Sequence, residues 1–181
     1  MKSLSQILSH FLVLICVTSC VPKNSEKGSE ELKRPSEKKV SSLKAQLESA
    51  DTILLVTHEQ TYGPVLNKKT KKYEEAKRLV LNNTINQKVI QEIKLIEGAD
   101  RDLLSSILTQ EIKGSPIILA TCFEPHHAII LIKKKSVSYL EICFSCGGVS
   151  TDELDISSAD FDNDKWDRLY KFIDPRIKFK E

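Results

Sequence analysis

The apolar positions of this chain change their spacing several times along its length. Residues 52–57 (TILLVT) form a short, apolar, β-branched stretch, which is typical of a buried strand. Residues 87–96 fit a strand or a helix almost equally well, and we favour a strand. Helical spacing follows at 100–113, where Asp100 is placed to cap the helix and Gly114 to end it.

Three further extended segments follow in close succession, at 116–122, 128–132 and 137–144. A short polar gap of lysines and a serine separates the last two, which is the pattern of a β-hairpin. Near the C-terminus, residues 164–173 place their apolar side chains on one face of a helix. The pattern predicts an α+β domain, in which an antiparallel sheet with a hairpin at about 126–145 is packed by two helices.

Residues 1–19 have the order of a secretory signal peptide. A lysine stands near the start, an apolar run follows from Phe11 to Val17, and small residues precede a cysteine. The apolar run is much shorter than the ~20 residues that a membrane-spanning helix needs. This segment therefore predicts export of the chain and not a membrane span.

The sequence Val17-Thr18-Ser19-Cys20 resembles the lipobox of bacterial lipoproteins. In that family the cysteine takes a lipid and the peptide before it is removed. The resemblance implies that the lipid on Cys20 anchors the protein to a membrane, because acyl chains bury enough apolar surface to hold a soluble domain there. Val21 follows Cys20 where aspartate would favour the inner membrane, so the resemblance implies the outer membrane.

Residues 20–42 are rich in Lys, Glu and Ser and contain almost no apolar side chains, which predicts a disordered tether. Residues 43–181 have the length of one globular domain. The formal net charge is only +2, with acidic and basic residues interleaved, which argues against nucleic acid as a partner. The lipid on Cys20 is the expected membrane contact, and no protein partner is indicated. As a whole the domain resembles small bacterial lipoproteins for which no activity is known.

Three cysteines remain after the lipidated one: Cys122, Cys143 and Cys146. Exported proteins fold in an oxidising compartment, where three thiols cannot all pair within one chain. One of them is therefore free, bound to a ligand, or paired with another molecule. A disulfide between two of the three, with the third thiol left over, is one interpretation of this set.

The hairpin brings histidines close to one of these cysteines. If the hairpin loop has two residues, Cys143 lies opposite His126; if the loop has three, it lies opposite His127. In a straight strand Cys143 and Cys146 would point to opposite faces, but the glycines at 147 and 148 permit a turn that brings both sulfurs to one side.

A second interpretation of the same residues is a structural zinc site. Three thiolates and one imidazole complete a tetrahedral zinc set, and C-x-x-C before glycine resembles the knuckle of zinc-ribbon proteins. Glu141 lies on the same strand face as Cys143, where it could hydrogen-bond a ligand histidine. The predicted ligands are Cys122, His127, Cys143 and Cys146, with His126 as the alternative nitrogen.

The segment that begins at His127 (HAIILI) resembles the histidine-led strand of papain-like cell-wall peptidases. That resemblance implies a cysteine-dependent hydrolase in which Cys122 is the nucleophile and His127 its base. A redox role for C-x-x-C is a third possibility, although the motif here follows a strand and does not open a helix. The main interpretation is a non-catalytic, membrane-anchored lipoprotein whose Cys/His cluster is a zinc site or a disulfide.

Overall fold

The structure, a computed structural model, describes residues 34–117 and 122–180. Five antiparallel strands form one sheet in the order β6-β1-β7-β8-β9, and two short hairpins, β2–β3 and β4–β5, lie between β1 and β6 in the chain. This is the α+β class that the sequence predicts. In chain order the elements are α1 (Arg34–Ser49), β1 (Thr52–His58), β2 (Pro64–Leu66), β3 (Tyr73–Glu75), β4 (Val80–Leu81), β5 (Thr84–Ile85), β6 (Ile90–Ile96), α2 (Gly98–Leu108), β7 (His127–Lys133), β8 (Ser136–Cys143), β9 (Gly148–Asp152), a short 3₁₀ helix (Ser158–Asp160) and α3 (Asn163–Ile173).

The sheet buries both of its faces, because successive side chains of a strand point to opposite sides. The helices cover one face, and their apolar residues meet those of β1, β7 and β8 there. The β4–β5 hairpin and the segment before β6 cover the other face with Leu79 and Val89. The fully buried strand residues divide between the faces as Leu55, Ile129, Leu140 and Ile142 on the helix side and Val56, Ala128 and Ile130 on the hairpin side.

The predicted hairpin is formed by β7 and β8. Lys133 pairs with Ser136, so Lys134 and Lys135 make a two-residue loop, and Lys134 has the positive φ of 56° that suits such a turn. The first of the two predicted registers is therefore the observed one. The extended stretch at 87–96 is also confirmed as a strand, since β6 occupies Ile90–Ile96.

The ends of α2 differ from the prediction of 100–113. The helix starts at Gly98, and Asp100 lies in its first turn, where it accepts two hydrogen bonds from Arg176 at 2.6 and 3.0 Å. Because the helix starts at Gly98, its N-cap is Glu97, and Asp100 lies inside the first turn with its carboxylate bound by the guanidinium. The helix ends at Leu108, so Gly114 does not terminate it; Gly114 instead donates its backbone N–H to Asp162.

The boundary between the predicted tether and the domain also differs. Residues 34–42 belong to α1 and are helical, whereas composition predicts disorder for 20–42. The helix is held by tertiary contacts: Leu43 and Leu47 are buried, and Arg101 of α2 donates to backbone carbonyl oxygens at the C-terminal end of α1. A charged composition thus conceals a helix that is held by buried apolar residues such as Leu43 and Leu47.

Several predicted segments fall on residues that the structure does not describe. The signal peptide (1–19), Cys20 and the tether residues 20–33 lie outside the described ranges. The strand predicted at 116–122 falls mostly on 118–121, which are also outside them, and its other residues are not in a strand.

Leu47→Ala should destabilise the domain by about 2–5 kcal/mol, because it removes a side chain only 1 % exposed between α1 and the sheet. Urea-induced unfolding measures this loss. The matched control is Glu48→Ala on the exposed side of the same helix, which should change stability by less than about 0.5 kcal/mol. Equal and small effects of both substitutions would show that α1 is not docked in solution.

Candidate functional site

The end of the sheet carries a disulfide between Cys143 and Cys146. Cys143 is the last residue of β8 and pairs with Gly148 of β9, while Cys146 lies in the turn between them, with a Cα–Cα distance of 5.6 Å. Gly147 has a φ of +66°, a backbone conformation that other residues rarely adopt, and this lets the turn bring both sulfurs together. Both cysteines are buried, so the disulfide lies inside the fold.

Cys122 is the remaining cysteine of the described residues, and its thiol is exposed and unpaired. The next residue, Phe123, packs on the disulfide turn: a Cβ placed on Gly148 would lie 3.1 Å from the Phe123 ring and 3.5 Å from Cys146 Sγ. A Cβ on Gly147 would lie 2.9 Å from Ile117. The chain on both sides of 118–121 therefore packs closely over this turn, which explains why two glycines are needed there.

The two adjacent histidines have different aromatic neighbours. The His127 ring meets Phe144 edge-on at a centroid distance of 5.2 Å. The His126 ring stacks on Phe179 at 3.9 Å, and its Nδ1 lies 3.3 Å from the backbone oxygen of His58. Among the hydrogen bonds of the described residues, none joins Cys122 to either histidine. The structure therefore does not bring the predicted nucleophile and base into contact through a hydrogen bond.

His58 joins this group of histidines. It is the last residue of β1, which pairs with β7, and its backbone N–H donates to the carbonyl oxygen of His126. Its Nδ1 lies 2.8 Å from the Glu59 carbonyl oxygen, whereas its Nε2 and the hydroxyl of Thr57 are buried without a hydrogen-bond partner among the described residues. Burial lowers the pKa of His58, and the carbonyl groups of Glu59 and His127 oppose the shift.

The electrostatics of this group favour a neutral ring at His127. Burial, with smaller contributions from the neighbouring His58 and His126, lowers the pKa of His127 to about 4, against an opposing effect of Asp174. At pH 7 the His127 ring is therefore uncharged. A histidine with so low a pKa is a weak general base, because proton acceptance is most effective near the working pH.

Glu141 lies on the same face of β8 as Cys143, as the strand period predicts. Its carboxylate accepts a hydrogen bond from the hydroxyl of Thr61. Burial raises the pKa of Glu141, and the Thr61 hydrogen bond opposes the shift. Its hydrogen-bond partner in the structure is thus a threonine from the loop after β1 and not a histidine.

The metal hypothesis and the disulfide hypothesis use the same sulfurs. The disulfide joins Cys143 and Cys146, so both would have to be reduced before they could bind zinc as thiolates. Within residues 34–117 and 122–180, no group of three or more His, Cys, Asp or Glu side chains is placed to hold a metal ion. Of the two interpretations, the described geometry corresponds to the disulfide.

Comparisons with known proteins add no family assignment. A scan against protein-family models, a search of curated proteins and a search of solved structures each found no match to this chain. Among the helices that the structure describes, none is both long enough and apolar enough to cross a membrane.

The lowered pKa of His127 predicts a loss of stability in mild acid. The unfolded chain binds a proton at this residue near pH 6.5, whereas the folded protein does so only near pH 4, so stability falls as the pH drops from about 6.5 to 4. Allowing for its partial exposure, the loss is about 2 kcal/mol.

Urea unfolding at pH 7 and at pH 4.5 measures this effect. His127→Gln should lose less stability between the two pH values than the unmodified protein does. Glu141→Gln is a useful comparison, because a raised carboxylate pKa acts in the opposite direction. If stability depends on pH in the same way with and without His127, the loss of stability in mild acid is not due to this residue.

Proposed function

We propose that this protein is an exported lipoprotein, anchored through a lipid on Cys20, whose domain is a non-catalytic module with a disulfide-stabilised sheet end. The observation that carries the proposal is the Cys143–Cys146 disulfide. Disulfides form and persist in oxidising compartments outside the cytosol, which is where a signal peptide takes a chain. The signal-peptide order of residues 1–19 supports the same destination independently.

The surroundings of the disulfide favour a structural role over a redox role. Its cysteines are only 1 % and 4 % exposed, and the turn that holds them is covered by Ile117 and Phe123. Catalytic disulfides are accessible to the thiols with which they exchange, whereas structural ones are buried and inert. The disulfide therefore ties the end of β8 to the turn that leads into β9.

A membrane location follows from the lipobox resemblance. With a lipid on Cys20, the domain is held at a membrane surface, and Val21 in place of aspartate favours the outer membrane. In this proposal the residues between Cys20 and α1 connect the lipid to the domain.

The second candidate, a cysteine-dependent hydrolase, is favoured by one observation: Cys122 is an exposed, unpaired thiol. It would require His127 to activate that thiol. The two residues share no hydrogen bond, and the pKa of His127 is lowered to about 4, which makes the structural proposal the stronger one.

Replacing both Cys143 and Cys146 with alanine should cost about 2 kcal/mol of stability, the value expected when a disulfide that closes a very short loop is lost. Urea unfolding measures it. Cys122→Ser is the matched control, and a change of less than about 0.5 kcal/mol is expected because the thiol is exposed.

Thiol counting on the mature protein, isolated without reductant or chelator, separates the alternatives. The proposal expects one alkylated cysteine, Cys122, before reduction. Three reactive thiols, or about one zinc ion per chain, would contradict the disulfide and support the metal site. Loss of a hydrolytic activity on Cys122→Ser, with the fold intact, would establish the enzyme instead.

Cys20→Ser should move the protein from the membrane fraction to the soluble fraction of the cell envelope, because the lipid is the expected anchor. Fractionation followed by immunoblotting measures the distribution. Cys16→Ser, inside the apolar run of the signal peptide, is the matched control and should leave the protein at the membrane. Retention of the Cys20→Ser protein at the membrane would contradict lipid anchoring.

A further inference from the structure

A cavity of about 360 Å³ lies among α1, the segment after α2, residues 155–160 and the first turn of α3. This volume falls within the range of small-molecule sites, roughly 300–1,000 Å³. The cavity has aliphatic walls with charged groups among them, which is the arrangement that holds an amphipathic molecule in one orientation. The aliphatic residues of its lining are Val40, Leu43, Leu108, Ile112 and Ile156.

Lys165 lines the cavity and is almost completely buried, with 2 % of its surface exposed. Its Nζ donates to the backbone oxygen of Gln110 at 3.2 Å and lies 4.9 Å from the centre of the Phe161 ring. An ammonium group carries three donors, so a single carbonyl oxygen leaves two of them without an acceptor among the described residues.

The acidic residues around Lys165 have other hydrogen-bond and ion-pair partners. Asp160 forms an ion pair with Lys39 at 2.6 Å and also accepts from Ser157. Asp162 accepts hydrogen bonds from three backbone N–H groups. Within the described residues Lys165 itself forms no salt bridge. Burial lowers its pKa to about 8, and the nearby Asp160 and Asp162 carboxylates oppose this shift, so the amine is still mostly charged at pH 7 although it forms no direct ion pair.

We infer that the cavity binds a small amphipathic monocarboxylate, whose carboxylate accepts hydrogen bonds from Lys165 Nζ and whose aliphatic body lies against the apolar walls. A carboxylate supplies the negative charge that the buried ammonium lacks, and charge-assisted hydrogen bonds are the strongest available to it. Of the other charged residues that line the cavity, Lys39 and Asp160 form an ion pair with each other, and the negative charges of Glu111 and Asp155 disfavour a ligand with a second carboxylate.

Octanoate, well below the concentration at which it forms micelles, is a suitable probe. Isothermal titration of the mature protein should give saturable binding of one octanoate per chain. Lys165→Met keeps the length of the side chain and removes its charge, so it should weaken binding roughly tenfold or more. Lys94→Met, an exposed lysine on β6, is the matched control and should bind octanoate as the unmodified protein does.

Methyl octanoate separates the contribution of charge from that of apolar burial, because it has the same body without a carboxylate. It should bind at least about tenfold more weakly than octanoate. The inference is overturned if octanoate shows no saturable binding, if Lys165→Met binds it equally well, or if the ester binds as tightly as the acid.

Ile112→Trp provides a test that leaves Lys165 in place. The larger side chain fills the cavity and should abolish octanoate binding, because the aliphatic body loses its space. Undiminished binding to Ile112→Trp would place octanoate elsewhere on the protein and overturn the inference. Urea unfolding of each variant establishes that a loss of binding does not reflect a loss of fold.

Discussion

Strand β7 lies at the centre of the sheet, between β1 and β8, and its four residues at 128–131 are all buried. Ala128 and Ile130 pack on one face, and Ile129 and Leu131 pack on the other. A shift of one residue in its pairing would exchange the two faces, so burial on both sides fixes the register strongly. The positions of the histidines and of the disulfide turn depend on that register.

The register sets His127 opposite Thr57 on one neighbour and Ile142 on the other. Cys143 follows Ile142 at the end of β8, so the disulfide turn begins one residue beyond the last pair of the hairpin. The same pairing buries His58 at the end of β1. Burial lowers the pKa of both His58 and His127, and the fold tolerates the unpaired Nε2 of His58 because a neutral polar group costs far less to bury than a charged one.

The predictable parts of the fold are those with local signals. The polar gap at 133–136 predicts the hairpin and leaves two possible registers, and the β-branched stretch at 52–57 predicts β1. The extent of α1 was not predictable, because Arg101 and the core that hold it are distant in sequence. The cap of α2 was mispredicted because the helix begins two residues before Asp100, with Glu97 as its N-cap.

Of the candidate site, sequence predicted which side chains lie near the sheet end but not how the sulfurs pair. Three cysteines allow several pairings, and the choice of Cys143 with Cys146 depends on the turn that Gly147 permits and that Ile117 and Phe123 cover. Spacing along the chain carries no information about such packing across the turn. The face shared by Glu141 and Cys143 was predictable because it follows from the strand period alone.

The buried ionisable side chains of the domain differ in which contacts offset the free-energy cost of their burial. Asp162 accepts hydrogen bonds from the backbone N–H groups of Lys113, Gly114 and Lys165 at 2.9–3.0 Å, and these lower its pKa to about 2. Glu141 accepts a hydrogen bond from Thr61. Lys165 has one carbonyl acceptor and an aromatic ring as neighbours. These offset less of the cost of burying its charge than a paired anion would. An ammonium retained at such a position beside a cavity destabilises the empty protein, and a bound carboxylate relieves that cost.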